Sequence, residues 1–344
     1  MKACAALSLL LGIGLAASDA GAANDAAHAL HGAGATFPAP LYKKWIETYR
    51  DVDPTTTIEY AGVGSGEGIK LFLADAVDFG ASDAAMTDEQ IASAPDGAQL
   101  IPAAAGLVAL IYNLPELHAP LKLRRDAYVA IFSGKIRNWN DPAIRATNPD
   151  APLPDRQIAL VARQDGSGTT FALTNHLSAI SPEWRDRGPG AHTLIGWPDN
   201  AMLVRGNEGV ASRVKLSVGT LGYVEYAFAR RLGLPTAALE NRAGNFVAPS
   251  AESGAATLSH NLAQIPANLR LFLPDPDGAD AYPIVTLSWI LLRQRYADAE
   301  KRDALKRFVA WGLGDGQRLG VDLGYVPLPA ELATAAQASL ANVR

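Results

Sequence analysis

The chain has a single cysteine, Cys4. It lies inside the N-terminal segment Met1 to Ala22, so a chain processed after Ala22 can form no disulfide and no cysteine-held metal site. Histidine is also scarce. The six are His28, His31, His118, His176, His192 and His260, none of them in a His-Glu-x-x-His spacing. His28 and His31 offer at most half a metal site, in an Ala-rich stretch from Asn24 to Leu30 that is expected to fray. No metal and no cofactor is expected. Charge is sparse too, at 19% of residues with a formal net charge of −5. Removing Met1 to Ala22 takes away Lys2 and Asp19 together and leaves that balance unchanged. A negative total argues against a nucleic-acid partner, and any anion bound here must be held by local donors instead of a global positive field.

Long apolar runs are missing as well. The apolar stretch Ala3 to Ala17 is too short, and too rich in Ala and Gly, to make a good membrane span. With Lys2 before it and Ala20-Gly21-Ala22 after it, Met1 to Ala22 reads as a secretory signal peptide; the alternative is a buried N-terminal helix. Cys4 sits too near the start for a lipid anchor, so a soluble periplasmic protein is the expectation. The chain has 344 residues, 49% of them hydrophobic, enough for an ordered protein of two domains.

The chemistry concentrates in Val161-Ala162-Arg163-Gln164-Asp165-Gly166-Ser167-Gly168-Thr169-Thr170-Phe171. A β-rich run (Gln157 to Ala162) feeds an arginine, a carboxylate and a Gly-Ser-Gly-Thr turn, after which Thr170 to Ser178 reads as a helix. Free N–H groups at a helix start favour negative charge. Arg163 adds a planar donor fork, and Ser167 and Thr169 add hydroxyls. Alone, the stretch is equally a capped helix behind a solvated Arg–Asp pair.

Similar junctions recur along the chain. Thr36 and the prolines of Gly32 to Pro40 precede a helix with Leu41, Trp45, Ile46 and Tyr49 on one face, running to about Arg50. A strand from Thr55 to Ala61 enters Gly62-Val63-Gly64-Ser65-Gly66-Glu67-Gly68, which opens a helix through about Ala74. A strand from Val77 to Ser82 delivers Asp83, followed by a helix from about Thr87. Three strand-to-helix junctions thus carry Thr36, Ser65 and Ser167, and sheet folds bind ligands beyond the carboxyl ends of their strands. Leu107 to Asn113 and Pro283 to Leu292 are apolar strands suited to crossing between two lobes. Ser133 to Trp139 reads as a solvated helix end, although Lys135 and Arg137 have the charge to bind phosphate. Asn148 to Pro154 is a surface loop. Gly206 to Gly209 turns into a helix to about Leu216, and Gly222 to Tyr226 begins another strand and helix. Asp298 to Leu313 is an amphipathic helix, and the tail Leu323 to Leu328 is expected to pack back on the first lobe.

The segments Gly32 to Pro40, Asp78 to Asp83, Gly134-Lys135-Ile136 with Trp139, Arg163 with Asp165 to Thr169, and Gly222 to Tyr226 occur together and in order. In that combination the chain resembles the periplasmic phosphate-binding proteins of high-affinity phosphate ABC transporters, over essentially the whole mature length. The resemblance implies an α/β, two-lobed periplasmic-binding-protein fold of type II, each lobe a sheet flanked by helices. It implies lobe I from 23–112 plus 283–344 and lobe II from 113–282, joined by crossings near Asn113 and Tyr282. It assigns phosphate contacts to Thr36, Phe37 (main chain), Ser65, Asp83, Arg163, Asp165, Ser167, Gly168 and Thr169. The implied partners are inorganic phosphate and a membrane permease, with the protein itself a monomer. Gly66-Glu67 departs from the family, which often has Ser-Gly there; Glu67 would repel an anion from inside and is expected to face solvent.

On this reading Asp83 sets specificity. A buried carboxylate only accepts hydrogen bonds, so it meets a protonated phosphate and opposes sulfate. Arsenate shares the protonation of phosphate and would be poorly discriminated. Asp165 is expected to orient Arg163. The rivals are a binding protein for another oxyanion (sulfate, arsenate, molybdate) and a phosphatase or serine hydrolase using Ser65 or Ser167. Neither serine lies in Gly-x-Ser-x-Gly, no histidine accompanies either motif, and no Walker A pattern exists.

Overall fold

A computed structural model describes residues 28–344; the expected signal peptide and Cys4 fall outside the described residues. The strands, in chain order, are β1 (His28–Gly34), β2 (Thr56–Gly62), β3 (Phe79–Ser82), β4 (Ala98–Tyr112), β5 (Lys122–Leu123), β6 (Ala159–Arg163), β7 (Ala201–Val204), β8 (Thr220–Glu225), β9 (Ala238–Glu240), β10 (Phe246–Val247) and β11 (Val285–Arg293). Eight of them form one sheet in the order β2-β1-β3-β11-β4-β8-β6-β7, and β10-β9-β5 form a small second sheet. The β2-β1-β3 and β8-β6-β7 sections are parallel, while β11 and β4 join them with antiparallel pairings.

β1 corrects one expectation, because His28 to Leu30 is strand and not frayed chain. Leu30 is buried and stands opposite Ile58 of β2. A parallel ladder satisfies the backbone there despite the low β propensity of alanine. β4 likewise begins nine residues before the expected Leu107. Pro102 and the alanines 103–105 disguise its first half. The pairing with β11 absorbs them through a register shift, with Ser288 opposite Ala104 and Trp289 opposite Pro102.

This connectivity places five strand-to-helix junctions at carboxyl ends of strands. β1 leads through Thr36 to the helix Ala39–Val52, and β2 through Gly64 to the helix Ser65–Leu73. β6 leads through Ser167 to Gly168–Ile180, β7 to Gly206–Leu216, and β8 through Glu225 to Tyr226–Leu232. β3 ends at Asp83. The tail returns as expected: Val326 bridges Ala105 of β4, and the Tyr325 hydroxyl donates to Phe37 O at 2.5 Å.

The first helix is held by Trp45, which is fully buried. Its Nε1 donates to Gly316 O at 2.7 Å, and its ring lies edge-on to Phe308. A Cβ at Gly312 would come within 2.6 Å of that ring, so the helix Ala299–Leu313 approaches closely only because residue 312 has no side chain. Trp45→Ala is expected to cost about 3–5 kcal/mol in urea unfolding. A loss below about 1 kcal/mol, the range of a surface substitution, would remove Trp45 from the core.

Candidate anion-binding site

Three junctions meet at one buried point. Ser65 Oγ accepts from the main-chain N–H of Asp83 at 3.2 Å and of Gly168 at 3.0 Å. One hydroxyl therefore ties together the ends of β2, β3 and β6. Gly168 fits because it lacks a side chain, since a Cβ there would sit 2.5 Å from Asp83 Cβ and 2.6 Å from Ser65 Oγ. Nearby the backbones of two Gly-rich turns touch directly, Gly66 N–H donating to Gly166 O at 2.9 Å.

Arg163 is 1% exposed. Its Nε donates to Asp165 Oδ1 at 2.7 Å and its Nη2 to Asp165 Oδ2, a bidentate fork that fixes the guanidinium plane. Asp165 Oδ1 also accepts from Gly206 N at 3.2 Å. The carboxylate of Asp165 is thus committed to orienting the arginine. Burial pushes Asp165 up, but the Arg163 hydrogen bonds and charge bring it below the usual carboxylate value. Arg163 Nη1 is buried without a hydrogen-bond partner among the described residues.

Asp83 Oδ1 is also buried without a partner of normal hydrogen-bond geometry. Burial raises the Asp83 carboxyl to about 7, against the opposing pull of the nearby Ser288 hydroxyl, the Arg163 charge and Ser65. A guanidinium nitrogen and a carboxyl oxygen are therefore both buried and unpartnered, near enough for the Arg163 charge to act on Asp83, whereas buried polar atoms are normally satisfied. More open cavities lie elsewhere, such as the 460 Å³ groove lined by Arg125, Lys135, Trp184 and Arg187, which includes neither Asp83 nor Arg163.

Residues 18–315 match the profile of the PBP superfamily domain. The phosphate-binding protein PstS of Pasteurella multocida is 40% identical over 315 residues, covering 91% of this chain and 90% of that protein. The phosphate-binding protein PstS of Haemophilus influenzae is 39% identical over 309 residues, 89% and 90% of the two chains. The chain belongs to the PstS phosphate-binding protein family. Among solved structures, a high-affinity periplasmic phosphate-binding protein (PfluDING) bound with phosphate superposes with a TM-score of 0.72, at 21% identity over 90% of this chain and 93% of that one. The phosphate-binding protein of Stenotrophomonas maltophilia gives 0.70, with the same identity and coverage. These likenesses show the fold to be the type II periplasmic-binding-protein fold expected from the motifs.

Within this PstS-family chain, the expected residues divide by role. Ser65, Asp83, Arg163, Gly168 and Thr169 are buried together at the junctions. Ser167 Oγ caps the helix Gly168–Ile180 by accepting from Thr170 N at 3.1 Å, while its own N–H is spent on Thr193 O. Phe37 is anchored by Tyr325 at its carbonyl and packs its ring against Gly106. Thr36 is half-buried and reaches Asn207 at 2.9 Å. Glu67 is exposed and lies 3.4 Å from Lys70, as its position required. Ser133 and Lys135 line the 460 Å³ groove instead of this centre.

Two residues escaped the sequence reading. Tyr223 OH accepts from Arg163 N at 3.2 Å and lies 2.6 Å from Thr170 Oγ1, holding the arginine from β8. Asn207 contacts Thr36 and Thr169 at once. Both lie in segments the sequence marked, Gly222 to Tyr226 and Gly206 to Gly209, but nothing local to either segment tied these side chains to the site.

Removing Asp165 tests the fork. Asp165→Ala strands a buried guanidinium and is expected to lower unfolding stability by about 3–5 kcal/mol in a urea titration. A loss under about 1 kcal/mol would mean that Arg163 finds water or another partner without cost.

Proposed function

We propose that this chain captures inorganic phosphate in the periplasm and hands it to the membrane permease of an ABC transporter. One observation carries the reading: buried Arg163 Nη1 and buried Asp83 Oδ1, each without a partner, beside a set of hydroxyl and N–H donors. With Asp83 ionised, only a ligand that is both an anion and a proton donor satisfies both atoms. Phosphate near neutral pH is such a ligand, and sulfate is not. The contacts we assign are Thr36, the Phe37 main chain, Ser65, Asp83, Arg163, Ser167, Gly168 and Thr169, with Asp165 acting through Arg163.

We place lobe I at 23–112 plus 283–344 and lobe II at 113–282, with crossings near Asn113 and Tyr282. Support comes from the sheet, in which β4 pairs with β11 as far as Leu107 and with β8 from Val108 onward. On this division Gly66–Gly166 and Thr36–Asn207 are contacts across a closed cleft, the state in which a hinged binding protein traps its ligand. We read the protein as a monomeric carrier without nucleic-acid affinity, in keeping with its net charge of −5. Among the described residues, no helix is long and apolar enough to cross a membrane.

Binding fits better than catalysis. Among the described residues, Ser65 Oγ bonds only to Asp83 and Gly168, and Ser167 Oγ to Thr170 N, so no histidine there stands beside either hydroxyl as a general base. The relatives that match are named as binding proteins.

Calorimetric titration tests the reading through pH. With its pKa raised to about 7, Asp83 is a neutral donor below that pH and an accept-only carboxylate above it. At pH 8 phosphate should bind tightly and sulfate should fail to compete, with discrimination of roughly 10⁴-fold for a site built around such a bond. As pH falls through 7 toward 5, sulfate should begin to compete, because a protonated Asp83 can donate to it. Equal sulfate competition at pH 5 and pH 8 would contradict the role of Asp83, and absence of phosphate binding would contradict the function.

A further inference from the structure

Asn207 lies in the first turn of the helix Gly206–Leu216 and is fully buried. Its amide orientation is settled by Glu225, whose main-chain N–H donates to Asn207 Oδ1 at 2.9 Å. The nitrogen end must then point the other way. There Nδ2 donates to Thr36 Oγ1 at 2.9 Å and to Thr169 Oγ1 at 3.1 Å, and the Asn207 main-chain N–H adds a third bond, to Thr36 Oγ1 at 3.1 Å.

These bonds dictate where the threonine hydrogens go. A hydroxyl has one hydrogen and two acceptor positions. Both acceptor positions of Thr36 are filled by Asn207, and one of those of Thr169. What Thr36 has left to offer is its hydrogen. Neither hydroxyl hydrogen has an acceptor among the described residues. Left to itself, a hydroxyl facing an anion is free to rotate and spend its hydrogen elsewhere. With Asn207 behind them, these two are turned into donors.

Resting on the phosphate reading above, we propose that Asn207 is a positioning residue that sets the polarity of the Thr36 and Thr169 hydroxyls, making both donate to the bound anion. Thr169 lies with Asn207 in lobe II, and Thr36 lies in lobe I. The donor set is therefore completed only when the cleft shuts, and Asn207 couples closure to recognition without touching the ligand. Ser65 Oγ likewise accepts from two N–H groups, but its own hydrogen is directed to Asp83 Oδ2 at 3.5 Å.

The test reverses the polarity. Asn207→Asp keeps Oδ1 for the Glu225 N–H but replaces the Nδ2 donor with an acceptor, which draws both threonine hydrogens away from the anion. Wild type, Asn207→Asp, the pair Thr36→Val with Thr169→Val, and the combination of all three are titrated with inorganic phosphate at pH 8. Asn207→Asp is expected to weaken binding by roughly 100-fold or more, as two charge-assisted hydrogen bonds are lost. In the Thr36→Val, Thr169→Val background the same change should cost at least tenfold less, because no hydroxyls remain to turn. A merely structural or purely charge-based effect would persist undiminished in that background and would overturn the inference, as would wild-type affinity in Asn207→Asp. If Asn207→Asp does not fold, the same cycle is run with Asn207→Ala, where again only a loss that shrinks in the valine background supports the proposal. Failure of wild type to bind phosphate would instead remove the functional reading itself, and this inference with it.

Discussion

A guanidinium in the interior with one nitrogen unpaired is the constraint that orders the rest. A buried charge is expensive unless it is paired and hydrogen-bonded. Asp165 supplies two of the three nitrogens of Arg163 with a partner, and Tyr223 fixes the backbone beneath it. The third nitrogen has no partner among the described residues, and on the proposed reading it is the one that meets the anion. Because the fork is rigid, that nitrogen has a set direction, and the strand-to-helix junctions around it must bring their donors to the same point.

On the proposed reading, the second carboxyl turns anion binding into proton sensing. Asp83 feels the Arg163 charge but is raised by burial instead of lowered by a close pair, the opposite of Asp165 two residues beyond the arginine. The same charge therefore keeps one acid ionised and leaves the other poised near neutrality. Glu225 is raised well above its usual value, again chiefly by burial, with Asp83 adding to the effect. A protein with a net charge of −5 can thus hold an anion through local donors, with the Asp165 carboxylate tied to Arg163.

Local chemistry made much of this legible before the structure. Turn glycines, helix caps and the Arg-x-Asp spacing act within a few residues, so Thr36, Ser65, Arg163, Asp165 and Ser167 stood out, and the ordered set of motifs pointed to the family. What did not stand out depends on distant partners. Asn207 matters through Thr36, 171 residues away, and Tyr223 through Arg163, 60 away. Neither distance leaves a periodic trace. The first half of β4 was hidden for a different reason: proline and alanines are poor strand formers, and burial with pairing to β11 overrides their preference. β1 was missed on its Ala-rich approach for the same cause.

The central claim is that the site asks its anion for a hydrogen through one carboxylate. Asp83→Asn replaces that accept-only group with an amide that can also donate, at nearly unchanged size. Dissociation constants for phosphate and sulfate, measured on this variant at pH 8, should draw together, with sulfate gaining affinity as phosphate loses it. A variant that still rejected sulfate as the wild type does would show that the discrimination arises elsewhere.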